Sequence, residues 1–225
     1  MHQIEQILQT SIDDEEYELK TLPYRQTMTY YRCALREIET KFRVLDEQFS
    51  MYYDRNPIEI IESRIKSQAS VLRKLKRRGI PTTIEAMEAN LFDIAGIRII
   101  SSFQDDIYML ADLLLQQDDV RLIQRKDYIK HPKPNGYRSL HLIVELPIFL
   151  ANEKKWVKVE VQFRTLAMDL WASLEHKLRY KKDLPQERLD EISHDLLECA
   201  LICASLDKKM GELRKSEKRN PIVHP

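Results

Sequence analysis

The hydrophobic period changes along the chain, and that change limits which folds the sequence can adopt. Over residues 24–50 the apolar positions Tyr24, Met28, Tyr31, Leu35, Ile38, Phe42 and Leu45 recur at steps of three and four, the spacing of one helix face. In the middle the period shortens. Ile97 to Ile100 is a short β-branched apolar run, and Val157 to Arg164 alternates strictly between apolar and polar residues. Val120–Ile123, Ser139–Leu146 and Trp156–Phe163 also read as strands, with a helix from about Asp105 to Gln117 among them. From Thr165 the pattern is helical to about Ser216, with a break near Pro185, and the tail EKRNPIVHP is expected to fray. Helices, then a mixed sheet, then helices make an α+β fold with helical extensions at both ends.

Local signals suggest further boundaries. Asn56-Pro57 reads as a helix start, and that helix is expected to run to Gly79 as its C-terminal cap. Pro81-Thr82 opens a short helix, with Glu85 three residues after Thr82 in capping-box spacing.

Composition removes several function classes. Only 4 of 225 residues are glycine, against a typical ~7%, and they lie too far apart to write GxGxxG or GxxxxGK[ST]. A nucleotide would therefore be held by side chains more than by a glycine cradle. Lys+Arg 36 balance Asp+Glu 36, which argues against binding nucleic acid through whole-chain charge. No apolar run reaches the ~18 residues of a membrane span. The acidic N-terminal stretch lacks the order of a signal peptide. Cys33, Cys199 and Cys203 form neither a disulfide framework nor a zinc spacing, and the last two, four apart, are expected to pack in the core. A reduced, cytoplasmic protein is the expectation.

Several segments carry groups suited to chemistry. On the strand 157–164, Lys158, Glu160, Gln162 and Arg164 share the polar face, which is either solvated or the lining of a site. Asp93, ahead of an apolar strand, is either a turn or cap residue or, with Glu160, one of two carboxylates able to hold Mg²⁺ beside phosphates. Lys66, Ser70, Arg73, Lys74 and Arg77 fall on one side of the expected helix as a cationic stripe, beside an apolar stripe of Ile61, Ile65, Leu72 and Leu75; Arg64 lies off it. Such a stripe is either a solvated face or a seat for a polyphosphate. In KPNGYRSLH, Tyr137 stands at a loop-to-strand junction, where a phenol can stack on a base.

In order and spacing, the blocks SRIKSQASVLRKLKRRG, LFDIAGIRII, RKDYIKHPKPNGYRSLHL, VKVEVQFRT and AMDLWASLEHKLRYK resemble the (p)ppGpp synthetase family. The likeness is nearest to the single-domain small alarmone synthetases of the RelP type. It implies a mixed five-stranded sheet of the nucleotidyltransferase-like kind in a catalytic domain at 55–182, flanked by helical extensions at 1–54 and 183–225. The implied enzyme is a GTP pyrophosphokinase, which moves the β,γ-pyrophosphate of ATP to the 3′-hydroxyl of GTP or GDP and releases AMP. By the same resemblance, Asp93 and Glu160 are the Mg²⁺-contacting carboxylates, and Glu160 is also a candidate for activating the 3′-hydroxyl. Arg64 and Arg98 match the arginines that sandwich adenine. Lys66, Ser70, Lys74 and Arg77 match the ATP-phosphate side. Tyr137 matches the guanine-stacking tyrosine, with Lys133, Arg138, His141, Gln162 and Arg164 toward the acceptor.

The resemblance also implies a homotetramer with no required nucleic acid. RelQ-type relatives carry a phenylalanine of an alarmone-binding regulatory site where this chain has Ile60, a departure that favours the RelP type. His194-Asp195 begins a shortened version of the hydrolase motif HDxxED, and both are expected to be surface residues without hydrolase function. Two other functions remain as alternatives: a toxin-like pyrophosphokinase acting on the tRNA 3′ end, and a catalytically silent nucleotide-binding regulator.

Overall fold

The computed structural model describes residues 2–52, 55–179 and 185–219. A long helix α1 (His2–Tyr52) is followed by β1 (Ile60–Ile65), α2 (Gln68–Arg77) and α3 (Ile84–Asn90). Next come β2 (Ala95–Ser101), α4 (Gln104–Leu115), β3 (Arg121–Asp127), β4 (Leu140–Phe149) and β5 (Lys154–Thr165), then α5 (Leu166–Arg179) and α6 (Gln186–Arg219). The strands form one five-stranded sheet in the order β1-β2-β5-β4-β3. β2 and β5 pair in parallel, and every other neighbouring pair is antiparallel.

Alternation along β5 sorts the sheet into two unlike faces. Val157, Val159, Val161 and Phe163 are all buried on one face, while Lys158, Glu160 and Gln162 stay partly accessible on the other. Helix α1 lies across β1, β2, β4 and β5 on the apolar side. It presents Met28, Tyr31, Leu35, Ile38 and Phe42, the stripe its sequence spacing foretells, and Phe42 meets Phe163 edge-on at a 5.8 Å centroid separation. Ile107, Leu110, Ala111 and Leu114 of α4 complete this core. The second half of α1 is therefore an integral part of the core.

The single helix expected from Pro57 to Gly79 is two elements. Residues 60–65 form an edge strand paired with β2 from Ile60↔Ile100 to Ile65↔Ala95, and the helix begins only after Ser67, whose hydroxyl caps the amide of Ser70. Ile60, Ile61 and Ile65 are β-branched, and pairing with an available neighbour outweighs the weak helical pattern around them. Ile61 and Ile65 consequently pack against the core from a strand. The short third helix is capped by Thr83, whose hydroxyl accepts from the amide of Ala86, one residue beyond the expected Thr82. Cys199 is exposed and Cys203 only half-buried, because the helix face that carries them looks partly outward.

Helix α6 is fastened along its length. Arg214 joins Arg55 on the buried carboxylate of Asp106, at 3.0 Å and 2.6 Å, and Asp207 accepts from the Thr165 hydroxyl at the end of β5. His194 and Asp195 are exposed on this helix, as expected. Residues 217–219 of the tail expected to fray belong to α6, and 220–225 lie outside the described residues, as does the expected boundary at 182/183.

If α1 is core, Phe42→Ala should destabilise the protein by about 3–5 kcal/mol, the usual cost of a large aromatic deleted from a packed interior. Chemical denaturation would show this as a lower midpoint with an unchanged slope. A change below about 0.5 kcal/mol, the scale of an ordinary surface substitution, would make α1 an appendage.

Candidate functional site

Register builds the site on the polar face. The pairings Arg64↔Gly96 and Gly96↔Glu160 set three residues in one row across β1, β2 and β5. Glu62↔Arg98, Arg98↔Gln162 and Gln162↔His141 set a second row beside it. Gly96 contributes no side chain, so the row between Arg64 and Glu160 has a gap in its middle. That gap floors a cleft of about 610 Å³ lined by Arg64, Lys66, Asp93, Arg98, Glu160 and Gln162, among others. The size suits a small-molecule ligand.

A second recess of about 370 Å³ shares Arg64 and Lys66 with the first. Ser70, Arg73, Lys74 and Arg77 of α2 line it from one side and His176 of α5 from another. Lys66 belongs to the loop before α2, yet it joins the helical cations in one concave surface. Arg64, off the stripe under a helical reading, stands on a strand between the two recesses. The cationic stripe therefore lines a cavity, where it can gather phosphate charge.

The two carboxylates are held differently. Lys66 and Lys74 both donate to Oδ2 of Asp93, at 2.5 Å and 2.6 Å, while the buried Oδ1 has no protein partner. Burial pushes the Asp93 carboxyl up, but hydrogen bonds and charge from the two lysines outweigh it and hold the group below its ordinary value. Glu160 accepts from Gln162 at 2.9 Å and pairs with Nδ1 of His141 at 3.1 Å. Burial opposes its ionisation too. The His141 and Gln162 contacts prevail over burial and the Asp93 charge, and Glu160 also lies below the ordinary glutamate range. Among the described residues no group of three or more His, Cys, Asp or Glu is placed to hold a metal ion. Two carboxylates, one with an unpartnered buried oxygen, fit a hard cation that takes its remaining ligands from phosphates and water.

Beyond Glu160 the site continues along His141. Nε2 of His141 lies 2.8 Å from the Tyr137 hydroxyl, and that hydroxyl accepts from Arg164 at 2.9 Å. Lys133 places its ammonium over the Tyr137 ring, 4.8 Å from the centroid. Arg164 donates as well to Gln162 and to Asp169, and Asp169 in turn pairs with Arg98, which Glu62 holds from its other side.

The residues singled out from sequence thus gather on one face, with one exception. Arg138 turns away, donating to the Ile129 carbonyl and lining a small gap beside Met168, Ala200 and Asp207. Glu62, Asp169 and His176 belong to the site and were not anticipated. Only their place inside the quoted blocks, or just beside one, marked them; no period or spacing brings a histidine of α5 to a recess lined by α2.

A family described as "Region found in RelA / SpoT proteins" matches residues 63–184, more than half of the chain. The chain belongs to this RelA/SpoT family. Within the family it is 44% identical over 210 residues to the GTP pyrophosphokinase YwaC of Bacillus subtilis, covering 92% of this chain and 96% of that protein. The small alarmone synthetase 2 of B. subtilis superimposes with a TM-score of 0.76 at 44% identity, over 86% of this chain and 98% of that one. The small alarmone synthetase 1 of B. subtilis bound to its product pppGpp gives a TM-score of 0.79 at 34% identity, over 86% and 97%. The α+β class and five-stranded sheet expected from sequence are those of the family.

The Asp93 arrangement makes a pH prediction. Because the folded-state pKa lies below the ordinary 3.8, the lysine contacts stabilise the fold fully above that value. That contribution is lost as the pH falls through the lower folded value. Lys74→Met should move the Asp93 titration, followed by carboxyl-carbon NMR, upward from its wild-type position; an unmoved titration would mean the lysine contacts do not hold it.

Proposed function

We propose that this protein is a GTP pyrophosphokinase of the small alarmone synthetase kind, transferring pyrophosphate from ATP to the 3′-hydroxyl of GTP or GDP. The observation that carries this reading is one polar sheet face joining a polyphosphate-sized cationic recess to a carboxylate and an aromatic loop. Lys66, Ser70, Lys74 and Arg77 receive the ATP phosphates. Arg64 and Arg98 flank the Gly96 gap and offer planar guanidinium groups to the adenine. Tyr137 offers its ring to the guanine, with Lys133, His141, Gln162 and Arg164 around the acceptor.

In the reaction the 3′-oxygen of the acceptor attacks the β-phosphorus of ATP. The bond from that phosphorus to the α,β-bridging oxygen breaks, and AMP departs with its electron pair. The protein's share is positioning and charge neutralisation. Glu160, held ionised by His141 and Gln162, accepts the hydroxyl proton as attack develops. Asp93 and Glu160 are the residues that would hold Mg²⁺, whose chemistry when bound is to neutralise phosphoryl charge. The catalytic unit spans 55–182, and α1 and α6 complete its packing. Leu201, Ile202 and Leu213 of α6, all more than half exposed, suit burial between copies in a homotetramer. The protein works in the cytoplasm.

Chromatography of products from ATP with GDP or GTP tests the reading. AMP should appear in equal amount with ppGpp or pppGpp, and Asp93→Asn should abolish both products while the protein stays folded, its thermal unfolding lowered only by the lost lysine contacts. Transfer to tRNA in place of guanine nucleotide, or no product at all, would overturn it.

A further inference from the structure

Helix α6 reaches the site at the loop that carries Tyr137. Gly136 sits at φ +88°, the left-handed region that favours glycine, and a Cβ built there would stand 2.5 Å from the Cβ of Ala200 and 3.3 Å from Cδ1 of Leu197. The loop backbone and the helix surface are therefore in direct contact, with no room for a side chain between them. Leu196 and Ala200 are buried in a small cluster with Trp171 and Ala172, and Tyr137 packs against that cluster. Trp171 donates its indole N–H to the Leu196 carbonyl at 2.7 Å, and its ring lies 6.4 Å from that of Tyr137. This cluster is separate from the main core under the sheet.

The loop is fixed from other directions too. The Gly136 amide donates to the Lys133 carbonyl, the Lys133 amide to the Tyr137 carbonyl, and the Tyr137 amide to Oδ1 of Asn135. These bonds set the shape of the turn. Arg164 and His141 hold the Tyr137 hydroxyl. Arg164 of β5 tethers only the outer end of the Tyr137 ring, whereas the backbone of the turn at Gly136 rests on α6, and that contact sets the height of the turn itself. A platform for a base gains affinity when its position is fixed before the base arrives.

We propose that α6 is a positioning element for the acceptor, with Ala200 and Leu196, braced by Trp171, setting the height of the Gly136–Tyr137 turn. The proposal rests on the reading of Tyr137 as the acceptor's base platform and adds the element that places it. Ala200 touches no substrate; it acts through Gly136. The ATP recess, built from β1, α2 and His176, shares no residue with this joint. Disturbing the joint therefore weakens one substrate and spares the other.

The test uses the full chain. Ala200→Leu pushes extra carbons against a glycine that has no side chain to withdraw. The KM for GDP should rise about tenfold or more, within the range that a lost base-stacking contact gives, while the KM for ATP stays within about twofold. If Ala200→Leu does not fold, Ala200→Gly withdraws the support without a clash. Its KM for GDP should rise about two- to fivefold, with thermal unfolding close to wild type and the KM for ATP unchanged. Equal rises in both KM values, or a fall in kcat alone, would make α6 a general scaffold and overturn the proposal. Tyr137→Ala in the same assay separates this from the underlying reading. If Tyr137→Ala raises the KM for GDP and neither Ala200 variant does, the platform stands and the positioning role of α6 falls. If Tyr137→Ala leaves that KM unchanged, the platform reading falls and the proposal falls with it.

Discussion

The parallel pairing of β2 with β5 is the contact on which the remaining arrangement depends. Gly96↔Glu160 and Arg98↔Gln162 lock the two central strands in a register that puts every candidate site side chain of both on one face. A slip by one residue would turn Glu160 and Gln162 into the apolar core and bring Val159 and Val161 out, so burial of the valines enforces the register. Pairing on either side extends the result. β1 adds Arg64 and Glu62 to the same rows, and β4 adds His141. The helices then supply what the sheet lacks: cations from α2, His176 and Asp169 from α5, and a support for the Tyr137 loop from α6.

Charge is organised locally within a chain of zero formal net charge. Cations concentrate at the α2 recess, and Asp93 stands where they converge, holding two lysine ammonium groups at 2.5 Å and 2.6 Å. Glu160 is kept ionised against burial by a histidine and an amide. A polyphosphate binds well where cations are already gathered and partly desolvated, since little reorganisation then remains. The scarcity of glycine fits the same design. Gly96 leaves an open floor between Arg64 and Glu160, and Gly136 makes a left-handed turn against a helix.

The sequence told some of this and hid some of it, for physical reasons. Strict alternation in β5 identifies the polar face without any neighbour, because a period of two has one structural meaning. The α1 stripe is legible for the same reason at a period of 3.6. Residues 60–65 misled because a six-residue segment with isoleucines at 60, 61 and 65 fits either period; only the neighbouring strand decides. Arg64 shows the consequence, since the same side chain falls off a helical stripe and into the centre of a sheet row. Arg138 adjoins Tyr137 in sequence yet points to Ile129 and α6, since neighbouring residues leave an extended chain on opposite sides. His176, Asp169 and the Ala200–Gly136 contact join segments far apart in the chain, and no local pattern records them.

The central claim is that the polar face of β5 is where the acceptor hydroxyl is activated, and Glu160 is the residue on which it turns. Glu160→Gln keeps the shape and an acceptor oxygen while removing the carboxylate. Steady-state turnover of this variant, measured with equilibrium binding of both nucleotides, is the most direct test. The account predicts a kcat lower by about 10²–10⁴-fold, the usual contribution of a positioned base, with both dissociation constants within about threefold of wild type. A variant that binds both nucleotides and turns over at a near-normal rate would contradict it, and would return Glu160 to a merely solvated sheet face.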